Sequence, residues 1–283
     1  MKLDEANPVD VSLVDVSPVD VSQGAGPIIL GQPHSGTYVP KDIYSNLNPL
    51  GRQLLDTDWH VPQLYEGLLA SATVVKANFS RYVIDPNRDP QGSNLYPGQN
   101  STDLVPVSTF DGEPIWLNQP TAEDIQRRLE RYHAQYHQRL SAEIERVKSI
   151  HGIAVVYDCH SIRSQIPYLF DHRLPDLNIG DNSGASCAAD FTTSIEKICA
   201  KLSHHTHVVN GRFRGGWTTR HYGRPEDGVH AIQMELAQRA YLQSELPPFN
   251  YDADKASSLR SVLSDILHAL NDTALTYSSG ESK

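Results

Sequence analysis

Residues 80–88 read Ser-Arg-Tyr-Val-Ile-Asp-Pro-Asn-Arg, a short apolar core that ends in a carboxylate, an amide and a guanidinium. Two histidines stand far from it in sequence. His34 lies in Gln-Pro-His-Ser-Gly and His160 in Tyr-Asp-Cys-His-Ser, and each follows an apolar run. A hydrolytic zinc site mixes histidine with a carboxylate in three protein ligands and keeps one position for water. Arginine reads a carboxylate through two parallel hydrogen bonds. These residue types together point to a zinc hydrolase whose substrate carries a free carboxylate. The competing reading is a pair of loop histidines that only hydrogen-bond, drawn from the chain's 13.

The third ligand is open between Asp56 and Asp58, the carboxylates nearest His34, in Leu-Asp-Thr-Asp-Trp-His. Their spacing of two lets one face a metal while the other caps a helix expected over 61–71; Asp58 is the expected ligand. Glu235 ends an apolar strand, and a carboxylate buried without a purpose is costly. Zinc lowers the pKa of its bound water to about 7. Glu235 is therefore expected to accept that proton and return it to the leaving amine; the alternative is an ion pair with Arg239. Arg81, Arg88, Arg212, Arg214 and Arg220 gather around Gly-rich segments, where Gly211, Gly215 and Gly216 let the backbone approach a ligand closely. Thr218, Thr219 and Tyr222 could add hydroxyl donors. No Gly-x-Ser-x-Gly, Gly-x-Gly-x-x-Gly or Gly-Lys-Ser/Thr is present, so serine-hydrolase, dinucleotide and P-loop readings lack support.

Strands alternating with helices must carry these groups. Apolar runs at 27–31, 73–79, 81–84, 153–157, 206–209 and 230–236 read as strands, with helices over 61–71, 121–150, 187–202 and 254–275. Thr121 is the expected N-cap of the long helix, with Glu123 and Asp124 at its positive end. The pattern implies an α/β fold, a mostly parallel sheet covered on both faces. Ligands in such sheets bind at the carboxyl ends of the strands, which is where His34, Asp158, His160 and the Asn87-Arg88 pair are expected. Residues 89–120 are rich in Pro, Gly, Asn and Ser and read as a long functional loop or lid.

The chain has 283 residues and a formal net charge of −10, with no basic footprint for nucleic acid. No apolar run reaches the roughly 20 residues needed to span a bilayer. Three cysteines without CxxC spacing, and no secretion signal, lead us to expect reduced thiols in a cytoplasm. Val-Asp-Val-Ser occurs three times within residues 9–22. Its prolines and five-residue period argue against a stable strand, so residues 1–26 are expected to be a disordered tail or an edge appendage. A single catalytic domain over 27–275 and a flexible end over 276–283 complete the expected organisation.

Several long motifs, in order, resemble the N-formylglutamate deformylase (N-formylglutamate amidohydrolase) family. They are residues 33–36 (Pro-His-Ser-Gly), 56–60 (Asp-Thr-Asp-Trp-His), 80–88, 158–163 (Asp-Cys-His-Ser-Ile-Arg), 210–216 (Asn-Gly-Arg-Phe-Arg-Gly-Gly), 219–223 (Thr-Arg-His-Tyr-Gly) and 228–239. The resemblance implies a three-layer αβα sandwich like that of zinc carboxypeptidases and aspartoacylases. It implies hydrolysis of N-formyl-L-glutamate to L-glutamate and formate, the last step of one route of histidine degradation. It places one zinc ion, or another divalent metal, on His34, Asp58 and His160, with Glu235 as base and Arg81 polarising the scissile carbonyl. Asn87 and Arg88 would bind one substrate carboxylate, and Arg212 or Arg214 with Tyr222 the other. Thr37 stands where the wider fold family has a glutamate ligand, a departure that bears on the third ligand. The alternatives are another N-acyl amino acid or small carboxylate amide as substrate, and a carboxylate-binding protein without catalysis.

Overall fold

The computed structural model describes residues 16–92 and 100–278. Seven strands form one sheet among the described residues: β1 Val19–Ser22, β2 Ile28–Gln32, β3 Thr73–Ala77, β4 Ala154–Ile162, β5 Leu177–Gly180, β6 His207–Val209 and β7 Val229–Ala237. Their order is β1-β3-β2-β4-β7-β5-β6. The β2–β3, β2–β4, β4–β7 and β5–β6 pairs are parallel, while β1–β3 and β5–β7 are antiparallel. The sheet is thus mixed and mostly parallel, as the alternation of elements implies.

The helices are α1 Lys41–Asn46, α2 Val61–Tyr65, α3 Ala122–Arg128, α4 Ala134–His151, α5 Ala189–Cys199, α6 Trp217–Tyr222 and α7 Ala253–Ser278. One wide π-type turn, Leu129–His133, joins α3 to α4. Thr121 caps α3 in a reciprocal capping box with Asp124. All nine residues of β4 and of β7 are buried, so both faces of the central strands are covered. Consecutive strand residues point to opposite faces. Tyr157 meets Tyr65 of α2 on one face, and α2 and α5 both pack on α7. On the other face, a Cβ on Gly31 would lie 3.3 Å from both the Asp158 carboxylate and the Tyr136 hydroxyl of α4. Helices therefore cover the sheet on both sides, giving the three-layer arrangement.

Four local expectations need correction. Residues 81–84 turn tightly after β3 and pair with no strand, because the chain must swing Asp85 and Asn87 back over the sheet edge. The helix expected over 61–71 is only α2, five residues long. Helix α7 runs on to Ser278, beyond the end expected at 275. The third Val-Asp-Val-Ser repeat is not disordered: β1 pairs with β3, Val19 is buried, and Asp20 pairs with Lys76 at 3.4 Å. An antiparallel edge strand needs only one buried face, which the Val alternation supplies. The first repeat, and the disorder expected for residues 1–15, lie outside the described residues.

Candidate active site

Chain order places β3 and β4 on opposite sides of β2, and the site sits at the carboxyl ends around this switch point, the position such sheets favour. His34 follows β2. His160 lies inside β4 rather than after it, on the same face as Asp158. In register on the neighbouring strand, Gln233 stands beside Asp158 and Glu235 beside His160. These four side chains form one buried polar patch on a shared face of the two central strands.

The two histidines turn the same nitrogen inward. His34 Nδ1 is 3.1 Å from His160 Nδ1, and Asp58 Oδ2 is 3.7 Å from the first and 3.3 Å from the second. Asp58 is held by the Ser161 backbone N–H at 3.1 Å. His60, just after it, adopts φ +59°, a left-handed turn that ends the loop carrying Asp58 into α2. Asp56 points elsewhere and accepts from the Tyr82 hydroxyl and the Phe110 N–H. The choice between the two aspartates therefore falls on Asp58 by geometry.

Each outward nitrogen meets a carboxylate: His34 Nε2 lies 2.6 Å from Asp85 and His160 Nε2 2.9 Å from Asp158. Burial opposes the Asp85 charge, but His34, Arg88 and Arg81 outweigh it and hold the carboxyl well below its usual range. Burial likewise opposes the charge on His160, yet Asp158, Asp58 and Glu235 push its pKa well up. Such carboxylate–imidazole pairs fix the tautomer and aim the free nitrogen at a metal. One donor atom each from His34, Asp58 and His160 lies within 4.8 Å of the others. Two imidazoles and a carboxylate, all buried and converging, fit a divalent cation.

Glu235 is buried, and burial pushes its carboxyl up to about 7 against the opposing pull of His160 and Arg81. Gln233 Nε2 donates to Glu235 Oε2 at 2.9 Å, while Gln233 Oε1 accepts from Gly216 N–H at 2.6 Å. Arg239 pairs with Asp176 instead, so the ion-pair alternative for Glu235 does not form. Arg81 is buried, contacts His34 Nδ1 through Nη2, and lies 5.0 Å over the Phe110 ring.

These groups open into a pocket lined by His34, Arg81, Arg88, His160, Arg212 and Glu235, with Phe110, Ile162 and Leu169 as apolar walls. Arg88 is steadied by Thr102 and by the Asn87 carbonyl. Three expected substrate contacts are placed otherwise. Arg214 is exposed and outside the pocket, whereas its neighbours Arg212 and Phe213 both line it. Tyr222 turns away and bonds His137 at 3.0 Å, while Thr218 is buried behind the wall. Asn87 lines the pocket, but its amide is engaged inside: it donates to Asp158 at 3.4 Å, sits 3.1 Å from His160 Nε2, and accepts from Thr218 N–H at 2.8 Å.

Asp85, Asp158 and Gln233 received no role from the sequence. Each sits two residues from a chemical residue, in Asp-x-Asn, Asp-x-His and Gln-x-Glu. In a strand that spacing shares a face, the available signal for Asp158 and Gln233; Asp85 lies outside the strands, where spacing gives none.

An α/β sheet edge with converging histidines and carboxylate, a nearby acid and an arginine-lined pocket has the layout of a hydrolase with a candidate metal centre. The sequence matches the N-formylglutamate amidohydrolase family over residues 26–242, and the chain belongs to that family. It is 42% identical over 251 residues to the N-formylglutamate deformylase of Pseudomonas aeruginosa, covering 88% of this chain and 94% of the relative. The protein of the same name from Pseudomonas putida is 42% identical over the same length, with 93% of it covered. The crystal structure of N-formylglutamate amidohydrolase from Ralstonia eutropha JMP134 shares the fold, with a TM-score of 0.74 at 24% identity, covering 94% of this chain and 98% of that one. The Agrobacterium tumefaciens gene product Atu2144 also shares it, with a TM-score of 0.68 at 18% identity over 91% and 96% of the two chains.

Proposed function

We propose that the protein hydrolyses N-formyl-L-glutamate to L-glutamate and formate, with a zinc ion held by His34, Asp58 and His160, as a step of histidine degradation. The observation that carries the metal part is the shared inward Nδ1 of two histidines facing Asp58, each backed by its own carboxylate. The substrate follows from the 42% identity to relatives of that name over nearly their full length. When bound, zinc supplies Lewis acidity and lowers the pKa of a water molecule.

The protein's own groups do the rest. Glu235, with its carboxyl near neutrality, takes a proton from the attacking water and returns it to the departing glutamate nitrogen. Gln233 keeps one Glu235 oxygen in place. Arg81, fixed beside His34, stabilises negative charge that develops on the formyl oxygen, the kind of electrostatic help that usually dominates acyl transfer. Arg88 and Arg212, both lining the pocket, offer cations for the two substrate carboxylates. The formyl group is small, so selectivity rests on those two anions.

The test measures glutamate release from N-formyl-L-glutamate with as-purified, chelator-stripped and zinc-restored protein. Loss on stripping and recovery with zinc is the expected result. Full activity after verified metal removal would remove the metal from the proposal and leave the substrate standing. Inactivity in every sample would overturn the substrate.

A further inference from the structure

We infer that His133 and His137 are positioning residues: together they brace the turn that carries Asn87 and Arg88 and so set the enzyme's grip on its substrate. The role rests on the formylglutamate reading above.

His137 Nε2 donates to the Pro86 carbonyl at 2.7 Å, and His133 Nε2 donates to the Arg88 carbonyl at 3.0 Å. These two carbonyls bracket Asn87. Both histidines are carried by the same helical run, His133 closing the wide π-type turn and His137 standing four residues on, so they share one face. Wide turns of this kind recur at functional positions because they re-aim the side chains beyond them. The Tyr222 hydroxyl lies 3.0 Å from His137 Nδ1, which leaves the His137 proton on Nε2, where the Pro86 carbonyl accepts it. Aromatic neighbours lock the pair. Trp217 stands edge-on to His137 at 4.6 Å and stacks on His221 at 4.2 Å. Burial drives the His137 pKa down to about 3 and lowers that of His133, so both act as neutral donors at ordinary pH.

The turn they hold reaches the site from both of its residues. The Asn87 side chain touches Asp158 and His160. Arg88 lines the pocket, its guanidinium tied to the Asn87 carbonyl at 2.9 Å and to Thr102. A shift of the 86–88 backbone therefore moves the guanidinium that faces the substrate. The two histidines touch neither the pocket nor the candidate metal ligands, so their effect must pass through this turn. Tyr222 thereby gains a place as the third member of the brace.

The experiment is steady-state kinetics on zinc-loaded, full-length protein with N-formyl-L-glutamate, comparing His133→Phe and His137→Phe with His133→Gln and His137→Gln. Phe keeps the ring and removes the donor; Gln keeps a donor. We expect KM to rise about threefold to tenfold in the Phe variants, the net worth of one neutral hydrogen bond to a backbone carbonyl, with kcat within about threefold and partial rescue by Gln. In an Arg88→Ala background the same Phe changes should add little, since residues acting as one unit are not additive. Tyr222→Phe removes only the hydroxyl at His137 and should raise KM in the same direction, which keeps the test open if a Phe variant does not fold. Unchanged KM in folded Tyr222→Phe and His133→Phe, or a KM effect fully additive with Arg88→Ala, would overturn the inference. A wild-type enzyme that leaves N-formyl-L-glutamate intact would overturn the functional reading first, and the brace with it.

Discussion

His34 and His160 present Nδ1 to Asp58 because Asp85 and Asp158 occupy their Nε2 atoms. Replacing Asp85 with Asn keeps the shape and removes the charge that fixes the tautomer. Zinc affinity should fall about 10–100-fold, read by competition with a chromophoric chelator, and an unchanged affinity would show that Asp85 only fills space. The two histidines and Glu235 stood out by residue type after or within apolar runs, whereas Asp58 was separable from Asp56 only in the structure, where Asp58 meets both histidines and Asp56 turns to Tyr82. Arg214 and Tyr222 were misplaced because type does not report direction: Arg214 is exposed, and Tyr222 turns to His137. Titration is also argued at this scale. His137, held near pKa 3 by burial, is protonated more readily in the unfolded chain, whose pKa is about 6.5. The unfolded state therefore binds more protons below that value, and stability falls as pH drops. About 2 kcal/mol should be lost between pH 7 and pH 5 from this group. His230, lowered to about 4 by burial, adds in the same direction. Urea midpoints measured across that range check it, and His137→Phe should flatten the slope.

Elements place these residues through close backbone approach more than through side-chain bulk. Gly216 precedes α6, and a Cβ there would come within 2.4–2.8 Å of the Asn87 amide. That amide cannot retreat, being held by Thr218 N–H and Asp158. Gly216→Ala should therefore fold but lose on the order of 100-fold in kcat/KM, since a displacement of about 1 Å can cost that much; kinetics and thermal melting measured together check both halves. The central strands were readable because β4 opens on the apolar run Ala-Val-Val-Tyr and β7 carries Ala-Ile and Met between its polar residues; both are buried on both faces. Strand β5 was not, since Leu-Asn-Ile-Gly carries an asparagine whose role shows only in the fold, where it donates to the Pro175 carbonyl at 2.9 Å and the Glu235 carbonyl at 3.0 Å. The segment 81–84 looked like a strand for the opposite reason: its apolar residues are core, but packed in a turn.

The whole molecule separates stability from chemistry along the sheet. Strand β1 lies at one edge, with β3 and β2 between it and β4. Deleting residues 1–22 should cost about 1–2 kcal/mol, a melting temperature lower by about 3–8 °C, while leaving KM for the substrate unchanged; a KM shift would tie the edge to the site. The edge position was one of two readings the sequence left open for the repeat, a disordered tail or an edge appendage, because its Val alternation is weak until β3 supplies a partner. No described helix is long and apolar enough to cross a membrane.

His34 and His160 face one another across 126 residues of chain, and that separation acts in time as well as in space. A ribosome adds about 5–20 residues per second, so His34 waits on the order of 6–25 s for its partner to be made, and longer for Glu235. Through that interval the emerging chain holds Asp58 and the His34–Asp85 pair but lacks His160, the second imidazole that faces Asp58. Competence for chemistry therefore waits for β7, the last strand in chain order, which carries Glu235 beside His160 of β4.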